Sequence, residues 1–327
     1  MSNKIKKLFD EQGFVVIKKV LDKDQDLIPV LQDMEFITNR LIHKFVNKKN
    51  KSKILQYNLR KKYSYLKKIN IPKLDQYFNI RMPQNDINKD SDFFATQSIW
   101  NLIKNKNILD NLSKILGSEI SSHPSQNSRI KQPEKNISVK DLNDGLLGRT
   151  PWHQDAGVLN KKGQRGTDLI TCWIPFTNTK KINGSMLAIK GSHKFGLVNH
   201  DRGSKGQVEV KNKEVLKKMN IFPLEANVGD IIFLNKYLIH CSGPNKSKNF
   251  RISLDLRYNK VGQPSGREPL PSFVVKSKNK NNIKIKNFKQ WIALWEKAKE
   301  KCIPRKYTFK YPLPTFKSNK RDLAKLI

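Results

Sequence analysis

The sequence predicts a mainly β protein, a sandwich or barrel of short strands with helices before and after it. Three observations support this fold class. Before Gly117, apolar residues recur mostly at helical spacing; after it, short apolar segments alternate with turn residues; from Phe288 onward, helical spacing returns. Many short strands separated by turns are typical of antiparallel sheets that close or pack face to face.

The N-terminal part, residues 1–117, is predicted to be largely helical. Its expected elements are a helix ending at Gly13, a strand over 14–17 and helices near 26–45, 97–104 and 108–116. Pro29 is tolerated because it falls in the first turn of its helix, and Gly117 suits the end of the last one. The stretch 47–68 is very basic and only weakly periodic.

The β core is predicted over about 118–260. Its strands are expected near 120–131, 152–155, 169–176, 185–189, 221–226, 230–234 and 250–258. Turn residues such as Asn183-Gly184 and Gly229-Asp230 separate them. A C-terminal extension, 261–327, contains a final helix with Trp291 and Trp295 on its apolar face. Neither a repeat nor a domain boundary is visible, so a single domain over 1–327 is expected.

The net charge is +36, from 64 basic and 28 acidic residues, and it raises the question of nucleic-acid binding. Two features argue against nucleic acid as a partner. Lysine heavily outnumbers arginine, whereas readers of phosphates and bases favour the planar arginine fork. The lysines are also spread along the chain, among many Asn and Ile residues, as in proteins of AT-rich genomes. A solvated lysine surface is the simpler interpretation.

The remaining composition predicts a cytoplasmic protein with no membrane association. The three cysteines, Cys172, Cys241 and Cys302, are odd in number and scattered, which favours a reducing compartment. No apolar run is long enough to span a membrane, and acidic residues follow the basic start where a signal peptide needs an apolar stretch. Oligomeric state cannot be predicted from these features.

The residues with the clearest chemistry are His153, Asp155 and His240. Two imidazoles and one carboxylate are the ligand set that holds iron(II) while leaving coordination positions open. His153 and Asp155 are two residues apart, so on a strand both side chains leave the same face. His240 must then arrive from a distant strand. A single histidine is more often structural than a metal ligand, so the prediction of a metal site depends on all three residues together.

An arginine follows at a suggestive distance. Arg251 lies eleven residues after His240, and its guanidinium suits the far carboxylate of a dicarboxylate cosubstrate. Ser253 shares its strand face and can meet the same carboxylate. The set therefore indicates an oxygenase.

These segments resemble the phytanoyl-CoA dioxygenase family of iron(II)/2-oxoglutarate oxygenases. Trp152-His153-Gln154-Asp155 is similar to the family's iron motif, and Gly229-Asp230 through His240, Asn245 and Arg251 are similar to its second half. Between them, Trp173-Ile174-Pro175-Phe176, Asn183-Gly184-Ser185-Met186 and Lys190-Gly191-Ser192-His193-Lys194 are similar to the family's next strand and its Gly-Ser-His turn. The resemblance covers roughly residues 9 to 300.

The resemblance implies a double-stranded β-helix, a cupin-like jelly roll with N- and C-terminal helices packed outside. It also implies a reaction in which 2-oxoglutarate and O2 become succinate and CO2 while a C–H bond is hydroxylated. His153, Asp155 and His240 would bind Fe(II), and Arg251, assisted by Ser253, would hold the 2-oxoglutarate C5 carboxylate. Trp173 matches a tryptophan near the cosubstrate, and Asn127 falls where a relative has methionine.

Asp155 bears on the type of reaction. Halogenating relatives lose this carboxylate to make room for chloride, so its presence favours hydroxylation. His193 could be mistaken for a distal ligand, but its Gly-Ser-His-Lys context favours a structural role.

The substrate is predicted to be a small molecule, and nearby charged residues suggest an anionic or zwitterionic metabolite. Candidate contacts are Arg129 and Lys131, which alternate with Asn127 on one strand face, and Asp255 and Arg257, which continue the face of Arg251. Internal ion pairing and a solvated strand edge explain these charges equally well. Nothing identifies a CoA thioester, because function resides in the pocket rather than the fold.

Two other functions stay open. The charge alone suggests oxidative demethylation of a nucleic acid by the same chemistry, which predicts steeply salt-dependent binding. A non-catalytic binding protein on the same fold is the other alternative, and failure to bind iron would favour it.

Overall fold

The computed structural model describes residues 2–82, 87–88, 91, 93–137, 148–202, 208–211, 216, 219–268 and 270–303. Residues 304–327 of the predicted C-terminal extension lie outside this part. The strands are β1 (Phe14–Ile17), β2 (Ile120–Lys131), β3 (Ile170–Pro175), β4 (Met186–Ile189), β5 (His200–Arg202), β6 (Val208–Val210), β7 (Ile221–Leu224), β8 (Ile231–Asn235), β9 (His240–Ser242), β10 (Arg251–Lys260) and β11 (Phe273–Lys276).

Two antiparallel sheets form the core. The larger has the strand order β1-β8-β3-β10-β2-β11, and the smaller has the order β7-β4-β9, while β5 and β6 form a separate hairpin. The non-consecutive order reflects the long connections of a jelly roll, and the sheets curl into the predicted mainly β fold with helices outside. The fold class expected from the sequence is confirmed.

Strand β10 lies at the centre of the larger sheet, between β2 and β3. Its residues Arg251, Ser253, Asp255 and Arg257 are all buried, and the register with β2 shifts between Asp255 and Arg257. Polar residues on a central strand cannot be there for packing alone, because burying them without partners costs free energy. Three of them, Arg251, Asp255 and Arg257, line one cavity.

The helices are α1 (Ser2–Gln12), α2 (Ile28–Phe45), α3 (Lys48–Leu55), α4 (Leu59–Lys68), α5 (Gln97–Ile103), α6 (Lys106–Leu116), α7 (Lys161–Gly166) and α8 (Phe288–Cys302). One large apolar cluster joins the helices to the sheet and includes Met34 of α2, Leu112 of α6, Leu254 of β10 and Trp295 of α8. Within the described residues, no helix is long and apolar enough to cross a membrane.

Two local predictions differ from the structure. The basic stretch 47–68, for which no helix was expected, forms α3 and α4, each capped by the side chain of an asparagine, Asn47 and Asn58. These caps satisfy backbone amides and were the available signal. The strand expected over 152–155 was wrong: His153 makes only a single bridge, to His240, and Asp155 begins a 3-10 turn.

Trp291 of α8 provides a test of the single-domain prediction. Its side chain is 1% exposed and its ring lies 5.8 Å from that of Trp100 on α5. We expect Trp291→Ala to lower the free energy of unfolding by about 3–5 kcal/mol, because the substitution empties a large packed volume. Urea denaturation followed by circular dichroism measures this. The exposed Lys297→Ala in the same helix should change it by less than about 0.5 kcal/mol. A separate early transition for Trp291→Ala would show that α8 is not part of the cooperative unit.

Candidate metal centre

His153 and His240 meet across the two halves of the core. Each backbone amide donates a hydrogen bond to the other residue's carbonyl, at 2.9 and 3.0 Å, and the ring centroids lie 4.3 Å apart. Their Nδ1 atoms lie 2.8 Å from the Pro151 carbonyl oxygen and 3.0 Å from that of Leu238. A carbonyl oxygen only accepts, so each Nδ1 carries the hydrogen and each Nε2 presents a lone pair.

Asp155 completes the group. Its Oδ1 lies 3.9 Å from His153 Nε2, and one ligand atom from each of His153, Asp155 and His240 lies within 4.8 Å of the others. Asp155 reaches this position through the 3-10 turn that follows the bridge. Within the described part of the chain, these three residues form the cluster of metal-ligand type.

The protonation states suit a metal. Burial, with the neighbouring His240 ring, lowers the pKa of His153 well below its ordinary value, which keeps the ring neutral. Burial alone would raise the pKa of the Asp155 carboxyl, but the charge of Arg257, the His240 and His153 rings and the Thr171 hydrogen bond together outweigh it, and the pKa lies below its usual value. Two imidazoles beside an ionised carboxylate are the donor set that iron(II) takes in sites with open coordination positions.

Arg251 lies in the wall of a cavity that His153, Asp155 and His240 also line. Its side chain is 1% exposed, its guanidinium donates to Ser253 Oγ at 2.5 Å, and its central carbon lies 5.5 Å from the centre of the Trp173 ring. Its Nε has no hydrogen-bond partner, and among the described residues no carboxylate lies within 4 Å of it. Burial lowers the pKa of Arg251 to about 10, so the group is still charged at neutral pH. A buried cation of this kind is suited to an anionic ligand.

About 390 Å³ of empty space lies in and around this partly open cavity, open solvent included. Predicted site residues in its lining are His153, Asp155, Trp173, His240, Arg251, Arg129, Asp255 and Arg257. Three other predicted residues contact neighbouring side chains instead of lining it. Asn127 Oδ1 accepts from Arg81 Nε at 2.7 Å, Ser253 contacts Arg251, and Lys131 Nζ donates to Ser242 Oγ at 3.0 Å.

The four predicted substrate residues therefore differ in their surroundings. Arg129 Nε lies 3.6 Å from Asp255 Oδ2, at the cavity wall. Lys131 is 4% exposed, and burial, with the charge of Arg251, lowers its pKa to about 7. Arg257 is engaged with Asp155 rather than directed only at the cavity. The ion pairing considered as an alternative from the sequence is thus present for Arg129 and Arg257.

Sequence reasoning missed several neighbours of the site. Thr171 lines the cavity and donates to Asp155; its spacing of two from Trp173 on β3 was an available signal. Arg81 and Arg267 come from segments outside the β core, and no local pattern marks them. Burial and the nearby Arg267 and Arg129 lower the pKa of Arg81 to about 9. His193 lies away from this group, with Nε2 2.9 Å from the Asp10 carbonyl oxygen.

Comparisons with known proteins agree with this site. The family model described as phytanoyl-CoA dioxygenase (PhyH) matches residues 9–253. The chain is 25% identical over 177 residues to a probable phytanoyl-CoA dioxygenase of Caenorhabditis elegans, a match that covers 53% of this chain and 54% of that protein. It is 30% identical over 115 residues to the peroxisomal phytanoyl-CoA dioxygenase of Homo sapiens, covering 34% and 33%. The chain thus matches about half or less of the length of these curated relatives.

Solved structures share the fold. The non-heme monooxygenase ThoJ superposes with a TM-score of 0.56 at 16% identity, over 91% of this chain and 96% of that one. EctD from S. alaskensis, solved with 2-oxoglutarate and 5-hydroxyectoine, superposes with a TM-score of 0.50 at 16% identity, over 80% and 77%. At such identities the likeness concerns the fold, whereas the family match covers most of the chain. The chain belongs to the phytanoyl-CoA dioxygenase (PhyH) family.

Proposed function

We propose that this protein is an iron(II)- and 2-oxoglutarate-dependent dioxygenase that hydroxylates a C–H bond of a small, anionic or zwitterionic metabolite. Succinate and CO2 would be released as coproducts of 2-oxoglutarate and O2. The observation that carries the proposal is that Arg251 is buried in the same cavity as His153, Asp155 and His240. No carboxylate of the described residues pairs with its guanidinium. Many classes of metalloprotein contain such a ligand group. The buried cation beside it favours a class of metalloenzyme that uses an anionic cosubstrate.

In this proposal His153, Asp155 and His240 hold the metal through two Nε2 atoms and one carboxylate oxygen. Iron(II) bound there would supply the oxidising chemistry by activating O2 at the expense of 2-oxoglutarate. The protein's part is to keep the His153 imidazole neutral, to orient both rings through the Pro151 and Leu238 carbonyls, and to keep Asp155 ionised. Retention of Asp155 favours hydroxylation, since the carboxylate fills the position that a halide would need.

Arg251 would bind the C5 carboxylate of 2-oxoglutarate. The guanidinium donates to Ser253 and lies near the Trp173 ring, so its direction is set before the ligand arrives. Because Arg251 has no carboxylate partner of its own among the described residues, a ligand carboxylate neutralises it without breaking an internal ion pair.

The charges around the rest of the cavity support an anionic or zwitterionic substrate. Arg129 and Asp255 line the wall as a loose pair, at 3.6 Å. Arg81, 9% exposed, bonds to Asn127 and to the Met82 carbonyl, and within the described residues no carboxylate lies within 4 Å of it. Positive charge thus exceeds negative charge near the site. The converging buried polar groups of this pocket are typical of a small-molecule site.

Reconstitution tests the proposal. Metal-free protein receives Fe(II) and 2-oxoglutarate without oxygen, and we expect a visible charge-transfer absorption that requires both. On admission of O2, succinate should form, and its rate should rise with carboxylic-acid metabolites but not with their primary amides. Zn(II) in place of Fe(II) should support binding but no succinate. Absence of both the absorption and succinate would refute the assignment and favour a non-catalytic binding protein.

A further inference from the structure

Both oxygens of the Asp155 carboxylate are held by neighbouring side chains. Arg257 NH2 donates to Oδ1 at 2.5 Å, and the Thr171 hydroxyl donates to Oδ2 at 2.5 Å. Asp155 is 1% exposed and Arg257 5% exposed, so neither water nor salt screens this contact. Charge-assisted hydrogen bonds in such surroundings are among the strongest available to a carboxylate.

Hydrogen bonds from all three of its nitrogens hold the Arg257 guanidinium in place. Its Nε donates to Thr171 Oγ1 at 3.0 Å, and its NH1 donates to the Ser125 carbonyl at 2.9 Å and to Ser125 Oγ at 2.8 Å. All three guanidinium nitrogens are therefore engaged, on β2, β3 and the turn that carries Asp155. Four of the five N–H donors of Arg257 are thus engaged by the protein, and only one N–H of NH2 has no partner among these bonds.

The two carboxylate oxygens have different surroundings. Oδ1 lies 3.9 Å from His153 Nε2 and accepts from Arg257 NH2, whereas Oδ2 accepts from the Thr171 hydroxyl, and the metal-ligand group uses one oxygen of this carboxylate. We propose that Arg257, with Thr171, is a positioning residue that holds Asp155 as a single-oxygen metal ligand. This inference rests on the metal site of the proposed function.

The sign of the change in metal affinity on removing Arg257 distinguishes a positioning role from a purely electrostatic one. If Arg257 acted only as a nearby cation, its removal would tighten the binding of a divalent metal, because like charges repel. If it positions Asp155, its removal frees the carboxylate and weakens metal binding, typically ten- to a hundredfold for a group that orients a ligand. The two roles therefore predict opposite signs.

The first experiment measures Co(II) affinity and the Co(II) ligand-field spectrum of the full chain. We expect Arg257→Met to weaken Co(II) binding at least about tenfold and to alter the spectrum, and Arg257→Lys to recover part of the affinity. The exposed Arg40→Met makes the same charge change and should leave both unchanged. Affinity that is unchanged or tighter in Arg257→Met would overturn the proposal.

A second experiment remains decisive even if Arg257→Met folds poorly. Asp155→Ala leaves the Arg257 and Thr171 donors around the space of the lost carboxylate, so added formate should occupy it and tighten Co(II) binding. Asp155→Ala/Arg257→Met should lose this gain, whereas Asp155→Ala/Arg40→Met should keep it. Equal tightening by formate in the first double variant would contradict the positioning role.

The inference and the proposed function can fail separately. If His153→Ala and His240→Ala bind Co(II) as tightly as the unmodified protein does, the proposed metal site is wrong. If both histidines are required but the Arg257 variants and the formate rescue show no effect, the metal site stands and the role of Arg257 is wrong.

Discussion

Replacing His240 with alanine is expected to abolish succinate formation and to weaken iron(II) binding by at least about a thousandfold, more than the loss of an outer-shell partner. His240 supplies one of the two Nε2 donors, and its ring is buried 4.3 Å from that of His153. With one imidazole and one carboxylate left, the site cannot hold the metal in a three-ligand face. Iron titration monitored by the anaerobic charge-transfer absorption, and succinate release in air, measure the two effects.

A second histidine serves as the control for this result. His193 was the other histidine that the sequence offered as a distal ligand, but in the structure its ring contacts the Asp10 carbonyl and packs against Gly13. His193→Ala should therefore lower stability and leave iron affinity within about twofold. Comparable loss of iron binding in both variants would mean that His240 acts through folding. The backbone bridge between His153 and His240 does not depend on either side chain, so folding should survive in His240→Ala.

The sequence correctly predicted that His153 and Asp155 lie close together. The strand from which this was argued does not form. The alternation argument placed both side chains on one face of a strand at 152–155. In the structure, the single bridge to His240 orients His153, and the 3-10 turn beginning at Asp155 brings the carboxylate back to it. Gln154 explains why pairing does not continue: its amide side chain donates to the Gly196 and Tyr237 carbonyls and occupies the flank of the bridge. Such tertiary bonds leave no periodic signal.

The large elements were predictable because their patterns are local. The long helix α2, the strand β10 and the final helix α8 each follow from a repeating apolar spacing within one segment. The hairpin β5–β6 and the strand β11 were missed, since each has only three or four residues and little periodicity. Short elements of this kind are defined by the strands that they pair with.

The surroundings of the site were less predictable than its ligands. Arg257 was predicted to contact substrate because it continues the face of Arg251; it does line the cavity, and its guanidinium also donates to Asp155. The register shift between Asp255 and Arg257 lies in β2, which passes from Asn127 to His123 there, while the pairing of β10 with β3 stays regular. No repeating pattern of the sequence marks a contact between residues so far apart. Arg81 comes from a segment 46 residues before its partner Asn127, a separation at which sequence patterns carry no information.

Replacing Arg251 with methionine is expected to raise the KM for 2-oxoglutarate by about a hundredfold. The buried guanidinium is the anchor proposed for the C5 carboxylate, and a charge-assisted hydrogen bond is worth about 1.5–3 kcal/mol. Losing one to two such bonds corresponds to roughly 10–10⁴-fold in affinity, since each 1.4 kcal/mol is tenfold. Steady-state succinate release at varied 2-oxoglutarate concentration measures the change.

Iron binding and stability distinguish a lost anchor from a damaged fold. No carboxylate among the described residues pairs with Arg251, so Arg251→Met leaves no orphaned charge, and methionine fills much of the same volume. Iron(II) affinity should therefore stay within about twofold, and the free energy of unfolding should fall by less than about 1.5 kcal/mol. Arg251→Lys keeps the charge but loses the planar fork, so its KM should lie between the two. An unchanged KM in Arg251→Met would place the cosubstrate elsewhere in the cavity, with the cationic wall at Arg129 and Arg81 as the next position to test.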